Sequence, residues 1–395
     1  MGLPGLDTID IAGKKVLLRV DLNVPMFNGK ISNIARIKAI LPTLKILIAR
    51  GATVMLLSHL GRPKSIDDHD TYSLAPVAEA LNKLISTEVI FHRDWINGFE
   101  LQSGMINICE NVRFLSGETS NNFELSKKMA SFADVFVMDA FACAHRAHAS
   151  TVGISKFIRT SVIGPLFENE LENLKKIMNE PASPMVAIIG GAKVSTKFKV
   201  LENIITKVDH LIIGGGMANT FLAAQGYNVG NSLYEIDFVQ EAKRLLNIAK
   251  QQSTQIVLPI DVIVGDELSN TATTMIVPVD NVEAPWKILD IGPESLHPVL
   301  ELVAKAKTIL WNGSLGANEF KPFATGTEKL AKAIAISLAF SVAGGGDTIA
   351  AIESFAVSED INYISTGGGA LLEYLEGIEL PVIAAIELAN QPITT

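Results

Sequence analysis

The sequence predicts an α/β fold in which two doubly wound parallel-sheet domains are joined by a helical hinge. The chain has 395 residues, which is more than one ordinary domain holds. Short apolar runs alternate with helical patterns along its length, as in parallel sheets that carry helices on both faces. Residues 165–178 form one long amphipathic pattern without a strand, and we interpret it as the connector. Domains with this alternation are Rossmann-like.

The first half, residues 1–167, contains the elements of one such sheet. One helix begins at Ser32 or Asn33 and ends near Gly51, and a second runs from Ser73 through Leu84. The predicted strands are Val16–Asp21, Thr53–Ser58, Glu88–Phe91, Ile106–Cys109 and Val135–Met138.

The second half, residues 168–382, repeats the alternation. Its strand-like runs are MVAIIGG, HLIIGGG, IVLPIDVIV, KILDIG, TILWNG, FSVAGGG and INYISTGG. The final segment, residues 383–395, has no glycine turn, and we expect it to pack back onto the first domain.

The composition indicates a soluble protein with large cores. Hydrophobic residues make up 48% of the chain, and the net charge of −9 argues against a nucleic-acid or anionic-membrane surface. Cys109 and Cys143 show neither metal-ligand spacing nor a disulfide framework. The N-terminal residues lack the apolar core of a signal peptide, and no apolar run is long enough to span a bilayer. We therefore expect a cytoplasmic protein.

Glycine turns follow strand-like runs at four places in the second half: GGAK at 190–193, GGGMANT at 214–220, SVAGGGDT at 341–348 and STGGGA at 365–370. Parallel sheets bind ligands at the carboxyl ends of their strands, and helix N-termini favour phosphate. Asp347 is either a helix cap or a Mg²⁺ ligand. The P-loop and dinucleotide-binding glycine patterns are both absent from the sequence. The second half therefore indicates a site for a magnesium nucleotide.

The first half carries charged and polar side chains at its strand ends and in its first helix. They are Asp21, Asn23, Arg36, His59, Arg62, Arg113, His145, Arg146 and His148. Arginine binds phosphate and carboxylate through two parallel hydrogen bonds, so the set suits a small polyanion that carries both groups. Surface ion pairs with neighbouring acids are the alternative interpretation.

Ten blocks of the sequence, taken together, closely resemble the phosphoglycerate kinase family. They are RVDLNVP (19–25), SHLGRP (58–63), ENVRF (110–114), DAFACAHRAHAS (139–150), GGAKVSTK (190–197), GGGMANTFL (214–222), LPIDVIV (258–264), WNGSLGANEF (311–320), GGGDTIAAI (344–352) and STGGGALLEYLEG (365–377). They stand in the family's order and span nearly the whole chain. The resemblance implies reversible phosphoryl transfer in glycolysis and gluconeogenesis, from 1,3-bisphosphoglycerate to Mg-ADP, giving 3-phosphoglycerate and Mg-ATP. Such an enzyme is a phosphotransferase with a carboxyl group as acceptor.

The resemblance also implies site residues, with the first domain binding phosphoglycerate and the second binding Mg-nucleotide. Phosphoglycerate would contact Asp21, Leu22, Asn23, Arg36, His59, Leu60, Gly61, Arg62, Arg113 and Arg146. The nucleotide would contact Gly191, Lys197, Gly214, Gly215, Gly292, Glu319, Gly345, Gly346, Asp347 and Thr348. Within that set Glu319 would bind the ribose hydroxyls and Asp347 the Mg²⁺. The chain departs from the family pattern at Ala142, Cys143, Thr196, Ser314, Ala317, Asn318 and Leu371.

This reaction needs no general base, because a β-phosphate oxygen and a carboxylate are already deprotonated. It needs alignment and positive charge on the transferring group. We expect that charge from Arg36, Lys193, Lys197 and the backbone N–H groups of Gly346 and Gly368. The spacing predicts Lys193 and Lys197 on one helix face. Because the two ligands would bind different domains, domain closure would join them.

Two other functions stay open at this point, a two-domain dehydrogenase and a catalytically silent binding protein of the same fold. The intact Arg36, Lys197 and Asp347 favour the enzyme. Its expected partners are phosphoglycerates and ADP or ATP, without nucleic acid or membrane, and we expect a monomer.

Overall fold

The computed structural model describes residues 2–64 and 68–391, and its chain divides into two compact units. One unit comprises Met1–Leu171 with Glu379–Thr395, and the other comprises Glu172–Ile378. The sequence placed these boundaries after residues 167 and 382. The long helix predicted over residues 165–178 is present as Pro165–Met178, and the first boundary falls within it.

The first unit is built on a six-stranded parallel sheet with the strand order β5-β6-β4-β1-β7-β8. Its strands are β1 (Lys15–Val20), β4 (Thr53–Leu57), β5 (Val89–His92), β6 (Ile106–Cys109), β7 (Val135–Asp139) and β8 (Thr160–Ile163). A short hairpin of β2 (Met26–Phe27) and β3 (Lys30–Ile31) follows β1. The five predicted strands are all present within one residue of their predicted ends, and β8 was not predicted. Because the sheet is parallel, the carboxyl ends of its strands share one edge.

The first unit contains more helices than were predicted, and its first predicted helix is divided. They are α1 (Ala35–Ala39), α2 (Leu41–Ala49), α3 (His69–Tyr72), α4 (Ala75–Asn82), α5 (Phe123–Ala130), α6 (Pro165–Met178) and α14 (Pro381–Ala389). The single helix expected from Ser32 or Asn33 to Gly51 is two helices that meet at Ile40, because Pro42 lacks the N–H that a continuous helix would use. Ile34 is the N-cap of the first of them, and Asn33 Oδ1 accepts from Ala35 N at 2.7 Å just before it.

The C-terminal segment belongs to the first unit and packs on it. Val382 N donates to Ala144 O at 3.2 Å, and Asn390 Nδ2 donates to Ser161 O at 2.6 Å. Residues 392–395 of that predicted segment lie outside the described part of the chain. No helix in the described ranges is long and apolar enough to cross a membrane.

The second unit repeats the architecture with a six-stranded parallel sheet in the order β11-β10-β9-β15-β16-β17. Its strands are β9 (Met185–Ile189), β10 (His210–Ile213), β11 (Gln255–Val257), β15 (Thr308–Asn312), β16 (Phe340–Gly344) and β17 (Tyr363–Ser365). Its helices are α7 (Phe198–Ile204), α8 (Gly216–Ala224), α9 (Val239–Gln252), α10 (Pro293–Lys305), α11 (Thr325–Ala335), α12 (Gly346–Ser354) and α13 (Gly369–Leu375). Strands β9 and β15 are buried throughout, in keeping with a sheet that is covered on both faces.

A three-stranded antiparallel sheet in the second unit was not predicted. It consists of β12 (Asp261–Gly265) between β13 (Thr274–Pro278) and β14 (Lys287–Ile291). The run IVLPIDVIV, expected as one strand, divides into β11 and β12 at Pro259, which cannot donate to a strand ladder. Strand β13 is largely exposed although it contains the apolar run 275–277, so apolar content alone did not reveal its place in the fold.

Candidate functional site

Arginines crowd around His59 in the first unit, and we call them the arginine cluster: Arg19, Arg36, Arg62, Arg113 and Arg146. Burial, and then the charges of Arg19, Arg113, Arg146 and Arg36, hold the pKa of His59 well below its usual value. Burial also lowers the pKa of Arg113, and the charges of Arg146, Arg19 and Arg62 add to that effect. These mutual effects show that the positive side chains lie close enough to repel one another. Such a cluster favours binding of a multiply charged anion.

The strand ends of the first sheet position several predicted residues of this cluster. Arg36, in α1, donates to Asp21 Oδ2 beyond β1 at 2.5 Å. Asn23 Oδ1 accepts from Gly61 N at 2.8 Å, which ties the end of β1 to the turn after β4. Arg113 donates through Nη1 to the carbonyl oxygen of Gly61. The predicted charged residues therefore meet at one sheet edge.

Three predicted contacts in this region involve residues that support the backbone. The Leu22 and Leu60 side chains are buried, and their N–H groups donate to Ser58 Oγ at 2.8 Å and to Asn111 Oδ1 at 3.2 Å. Gly61 has φ of +61°, and a Cβ there would lie 2.1 Å from the ring of Tyr72. Contacts of these residues with a ligand stay predictions, and they would come from backbone atoms.

The sequence interpretation missed the most buried arginine of the cluster and its partners. Arg19 lies in β1, where its Nε donates to Ser150 Oγ at 3.1 Å. Ser150 in turn donates from Oγ to Glu118 Oε1 at 2.5 Å. One signal was present in the sequence, because a charged residue stood inside the apolar run KVLLRV.

Two further histidines of the first unit are neutral at physiological pH. Burial, and then the nearby arginines, lower the pKa of His145 and of His148 to about 4. His145 Nε2 accepts from Arg146 Nε at 3.1 Å, an arrangement that a protonated ring would break. His145 and His148 therefore add no positive charge to this edge at physiological pH.

We expect the lowered histidine pKa values to make the fold less stable in mild acid. Below the unfolded pKa of 6.5 the unfolded chain binds more protons than the folded one, so each histidine lowers the free energy of unfolding between pH 6.5 and about 4. Asp290 has the opposite effect on the free energy of unfolding, because burial raises its pKa to about 7. Denaturant unfolding of wild type and His145→Gln at several pH values distinguishes the contribution of the histidine from that of Asp290. The variant should lose less stability on acidification, by up to about 1.4 kcal/mol per pH unit.

The control for this measurement is His297→Gln, which changes an exposed histidine of α10 paired with Glu301. It should follow the wild-type pH dependence. Equal pH dependence of His145→Gln and wild type would contradict the prediction.

The glycine turns of the second unit meet at the carboxyl edge of its parallel sheet. Gly190 N donates to Asn312 O at 3.0 Å, and Met217 N donates to Gly191 O at 3.0 Å. Asn312 Nδ2 donates to Gly344 O at 2.6 Å, which links the turns after β15 and β16. A Cβ on Gly190 would lie 2.0 Å from the carbonyl oxygen of Ser314, so close backbone approach requires glycine there. Asn312 was not predicted as a site residue.

Lys197 lies among these turns. Its Nζ donates to the carbonyl oxygens of Gly190 at 2.7 Å and Asn312 at 2.9 Å. Burial lowers its pKa to about 8, and the Asp347 carboxylate acts in the opposite direction. An ammonium group has three N–H donors, so one is left for an anionic ligand.

The predicted pairing of Lys193 with Lys197 on one helix face is wrong. Lys193 has extended backbone angles and is exposed, and a 3₁₀ turn of Val194–Thr196 separates it from Lys197. The helix that follows begins only at Phe198. The spacing rule for helix neighbours does not apply, since neither lysine lies within a helix.

The turn after β16 opens onto the first residues of α12. Gly345 has φ of +99°, and a Cβ on Gly346 would meet no atom within 4 Å. Asp347 is exposed, and no hydrogen bond or ion pair engages its carboxylate in the described ranges. Thr348 is buried, and its Oγ1 accepts from Gly313 N at 2.7 Å. Of the four, Gly346 and Asp347 are open to a ligand, whereas the Thr348 hydroxyl already holds a neighbouring turn.

The remaining predicted nucleotide residues lie at or beyond this sheet edge. Gly214 and Gly215 end β10, and Gly215 N donates to Leu315 O at 3.0 Å. Gly292 caps α10 after β14. Glu319 is exposed in the loop after β15. Ala317 N of the same loop donates a hydrogen bond to Leu289 O of β14 at 2.9 Å. Gly368, the N-cap of α13, has φ of +52° and an open surface.

Comparisons with known proteins agree with this arrangement. The family model described as phosphoglycerate kinase matches residues 6–378. A phosphoglycerate kinase of Francisella tularensis subsp. tularensis is 52% identical over 382 residues, which cover 97% of each chain. A phosphoglycerate kinase structure from Coxiella burnetii has a TM-score of 0.95 and 45% identity over 99% of this chain and 100% of its own. A crystal structure of the Pyrococcus horikoshii phosphoglycerate kinase has a TM-score of 0.81 and 34% identity over 98% of this chain and 99% of its own.

Proposed function

The chain belongs to the phosphoglycerate kinase family, and from this premise we propose which residues bind each of its substrates. The family's reaction transfers a phosphoryl group reversibly between 1,3-bisphosphoglycerate and ADP, a step of glycolysis. The first unit, 1–171 with the C-terminal segment, would bind the phosphoglycerate. The second unit, 172–378, would bind the nucleotide.

The crowding of the arginine cluster supports the assignment of the first unit. Each guanidinium is charged at physiological pH, and Asp21 engages Arg36 alone among its members. A phosphate and a carboxylate bring the negative charge that this cluster lacks. Arg62 and Arg113 also lie in the turns after β4 and β6, where a small ligand can reach both.

The glycine turns support the assignment of the second unit. The N-terminus of α12 presents free backbone N–H groups, beginning at Gly346, to a ligand, and such groups favour phosphate. Lys197 adds a charged donor beside them. Glu319 and the glycines near β10 and β14 would border the ribose and the base.

The residues present fit a Mg²⁺ ion that binds together with the nucleotide. Asp347 offers a hard carboxylate oxygen that no described residue occupies, and Mg²⁺ combines one or two carboxylates with phosphate oxygens. No group of three or more acidic, histidine or cysteine side chains among the described residues could hold a metal alone. When bound, the ion would supply positive charge to phosphate oxygens.

The protein's part in catalysis is to align the two reactants and to stabilise charge on the transferring phosphoryl group. Lys197 is held by two carbonyl oxygens, so its position is fixed before the ligand arrives. Arg36 would supply charge from the first unit, oriented by Asp21. Backbone N–H groups of Gly346 and Gly368 would add partial positive charge. Lys193 would contribute from an exposed extended segment instead of from a helix face.

We further propose that closure of the two units joins the ligands and excludes water from the acyl phosphate. The substrates would be phosphoglycerates and ADP or ATP, without nucleic acid or membrane as partners. We propose a cytoplasmic monomer.

Replacement of Arg62 or Arg113 by alanine is expected to weaken phosphoglycerate binding and to leave nucleotide binding nearly unchanged. Loss of one charged hydrogen-bond donor should raise the dissociation constant by roughly tenfold or more. Calorimetric titration with 3-phosphoglycerate and, separately, with Mg-ADP measures both effects.

Arg159→Ala provides the matched control, because Arg159 is an exposed arginine of the same unit outside the cluster. It should leave both dissociation constants at wild-type values. Equal losses of ADP and phosphoglycerate affinity in Arg62→Ala or Arg113→Ala would show that this division between the units is wrong.

A further inference from the structure

A buried chain of hydrogen bonds lies behind His59 in the first unit, and we call it the His59 relay: Glu118, Ser150, Arg19 and His59. These side chains are 1%, 0%, 1% and 4% exposed, so water cannot take the place of any link. Their positions in the sequence are far apart, and Arg19 and Ser150 are separated by 131 positions. Of these four residues, only His59 belongs to the set that the family resemblance implied for substrate binding.

The first link fixes the Ser150 hydroxyl. Its Oγ donates to Glu118 Oε1 at 2.5 Å, and its backbone N donates to Glu118 Oε2 at 3.0 Å. A hydroxyl has one hydrogen, and here that hydrogen is committed to the carboxylate. The Oγ lone pairs are therefore available as acceptors.

The second link uses that acceptor to orient Arg19. Arg19 Nε donates to Ser150 Oγ at 3.1 Å, and Nη1 donates to the carbonyl oxygen of Val20. No direct ion pair within 4.0 Å joins Arg19 to Glu118 in the described chain, so the serine stands between two buried opposite charges. The guanidinium plane is thereby set, and Nη2 points to His59.

The third link determines the tautomer of His59. Arg19 Nη2 lies 3.3 Å from His59 Nδ1, and a guanidinium can only donate. Nδ1 must therefore accept, which places the hydrogen of the neutral ring on Nε2. No described residue forms a hydrogen bond with Nε2, so it can donate to a ligand.

We propose that Glu118 and Ser150 are positioning residues for substrate binding, which orient Arg19 so that His59 is held as an Nε2–H donor to an anionic oxygen of phosphoglycerate. The proposal rests on the proposed function of the first unit. Glu118 and Ser150 do not touch the substrate in this scheme. They act through Arg19, and their effect is on the tautomer of one ring.

Removal of the serine hydroxyl should break the relay in a defined way. In Ser150→Ala the Arg19 Nε–H loses its acceptor, and the Glu118 charge can then attract the guanidinium directly. That movement would take Nη2 away from His59. The ring would then also populate the Nδ1–H tautomer, in which Nε2 accepts and repels the substrate anion.

The experiment uses the full chain labelled with ¹⁵N in its histidine rings, with the His59 signals assigned from their loss in His59→Gln. Wild type should show the Nε2–H tautomer, and Ser150→Ala should show a mixture. The KM for 3-phosphoglycerate should rise roughly tenfold or more in Ser150→Ala, the scale of one hydrogen bond to a charged group, whereas the KM for nucleotide should stay unchanged. Glu118→Gln leaves one acceptor oxygen for the two Ser150 donors, so it should give the same two changes to a smaller extent, and it serves if Ser150→Ala does not fold.

Ser161→Ala is the matched control. Ser161 is equally buried in the same unit, but its hydroxyl donates to Ile158 O at 3.1 Å, outside the relay. It should leave the tautomer and both KM values unchanged. If His59→Gln raises the KM for 3-phosphoglycerate while Ser150→Ala and Glu118→Gln keep the wild-type tautomer, the relay is overturned and the substrate site stands. If His59→Gln leaves phosphoglycerate binding unchanged, the substrate site itself is wrong, and the relay with it.

Discussion

Asp347→Ala is expected to lose nearly all phosphoryl transfer while the fold persists. Asp347 is exposed at the first turn of α12, so its replacement removes no packing and leaves the turn free to form. We expect the loss because this carboxylate would hold the Mg²⁺ that accompanies the nucleotide. A decrease in kcat of at least about a hundredfold corresponds to roughly 2.7 kcal/mol of transition-state stabilisation. Steady-state assays with varied Mg²⁺, and circular dichroism for the fold, measure both parts.

The structure predicts a second effect of the same change. The Asp347 carboxylate raises the pKa of Lys197, against the larger effect of burial. Without Asp347, Lys197 should lose its proton at a lower pH than in wild type. As the pH is raised, the residual activity of the variant should therefore begin to decline earlier than wild-type activity.

Glu328→Ala is the control for Asp347→Ala. Glu328 also lies in the first turn of a helix, where it pairs with Lys332 at 2.5 Å. Its loss should leave turnover unchanged. Wild-type turnover in excess chelator, or in Asp347→Ala, would contradict the assigned role.

Arg36→Ala is expected to lower kcat by roughly 10³ or more, the scale seen when an arginine that stabilises a transferring phosphoryl group is removed. Its side chain is 38% exposed and paired with Asp21, so the charge can approach a ligand without a large desolvation cost. The effect on both ligand dissociation constants should be much smaller, because the charge acts mainly in the transition state. Stopped-flow turnover and separate binding titrations distinguish the two quantities.

The double variant Arg36→Ala with Lys197→Ala should be little worse than the worse single variant, since residues that act as a unit are not additive. Arg36→Lys keeps a charge but lacks the planar pair of donors, so partial recovery would show what geometry adds. Arg159→Ala, an exposed arginine of the same unit, should turn over like wild type. A strong rise in KM for phosphoglycerate with kcat near wild type would make Arg36 a ground-state binder instead.

The sequence alone predicted the two-sheet architecture and the regions that we propose bear the site. Glycine runs after apolar strands and arginines at strand ends are local patterns, and parallel topology brings strand ends to one edge. For that reason Arg113 and Asp347 were candidates before any packing was known, whereas the nucleotide role of Lys197 came from the resemblance to the phosphoglycerate kinase family. The long helix at Pro165–Met178 was equally visible, because its periodicity lies within one segment.

Local rules failed where backbone conformation depended on its surroundings. Lys193 and Lys197 have helix spacing, but the backbone between them takes a 3₁₀ turn beside the glycine edge of the sheet. The antiparallel sheet of β12, β13 and β14 was not predicted, because the apolar run 275–277 of β13 does not indicate which strands pair or in which direction. In both cases contacts with distant parts of the chain determined the backbone conformation, which the local sequence pattern could not predict.

Only the tertiary structure decided which side chains meet inside the first unit. Arg19 stood in the sequence as a charge within an apolar strand, and nothing near it in the chain indicated a partner. Its acceptor Ser150 is 131 residues away, and Glu118 lies another 32 residues from that serine. A hydrogen bond between distant residues depends on how the sheet and the turns pack, and no local periodicity carries that information. The sequence could therefore propose His59 as a site residue, whereas only the packing of β1 against the segment after β7 explains why Arg19 Nη2 lies 3.3 Å from His59 Nδ1.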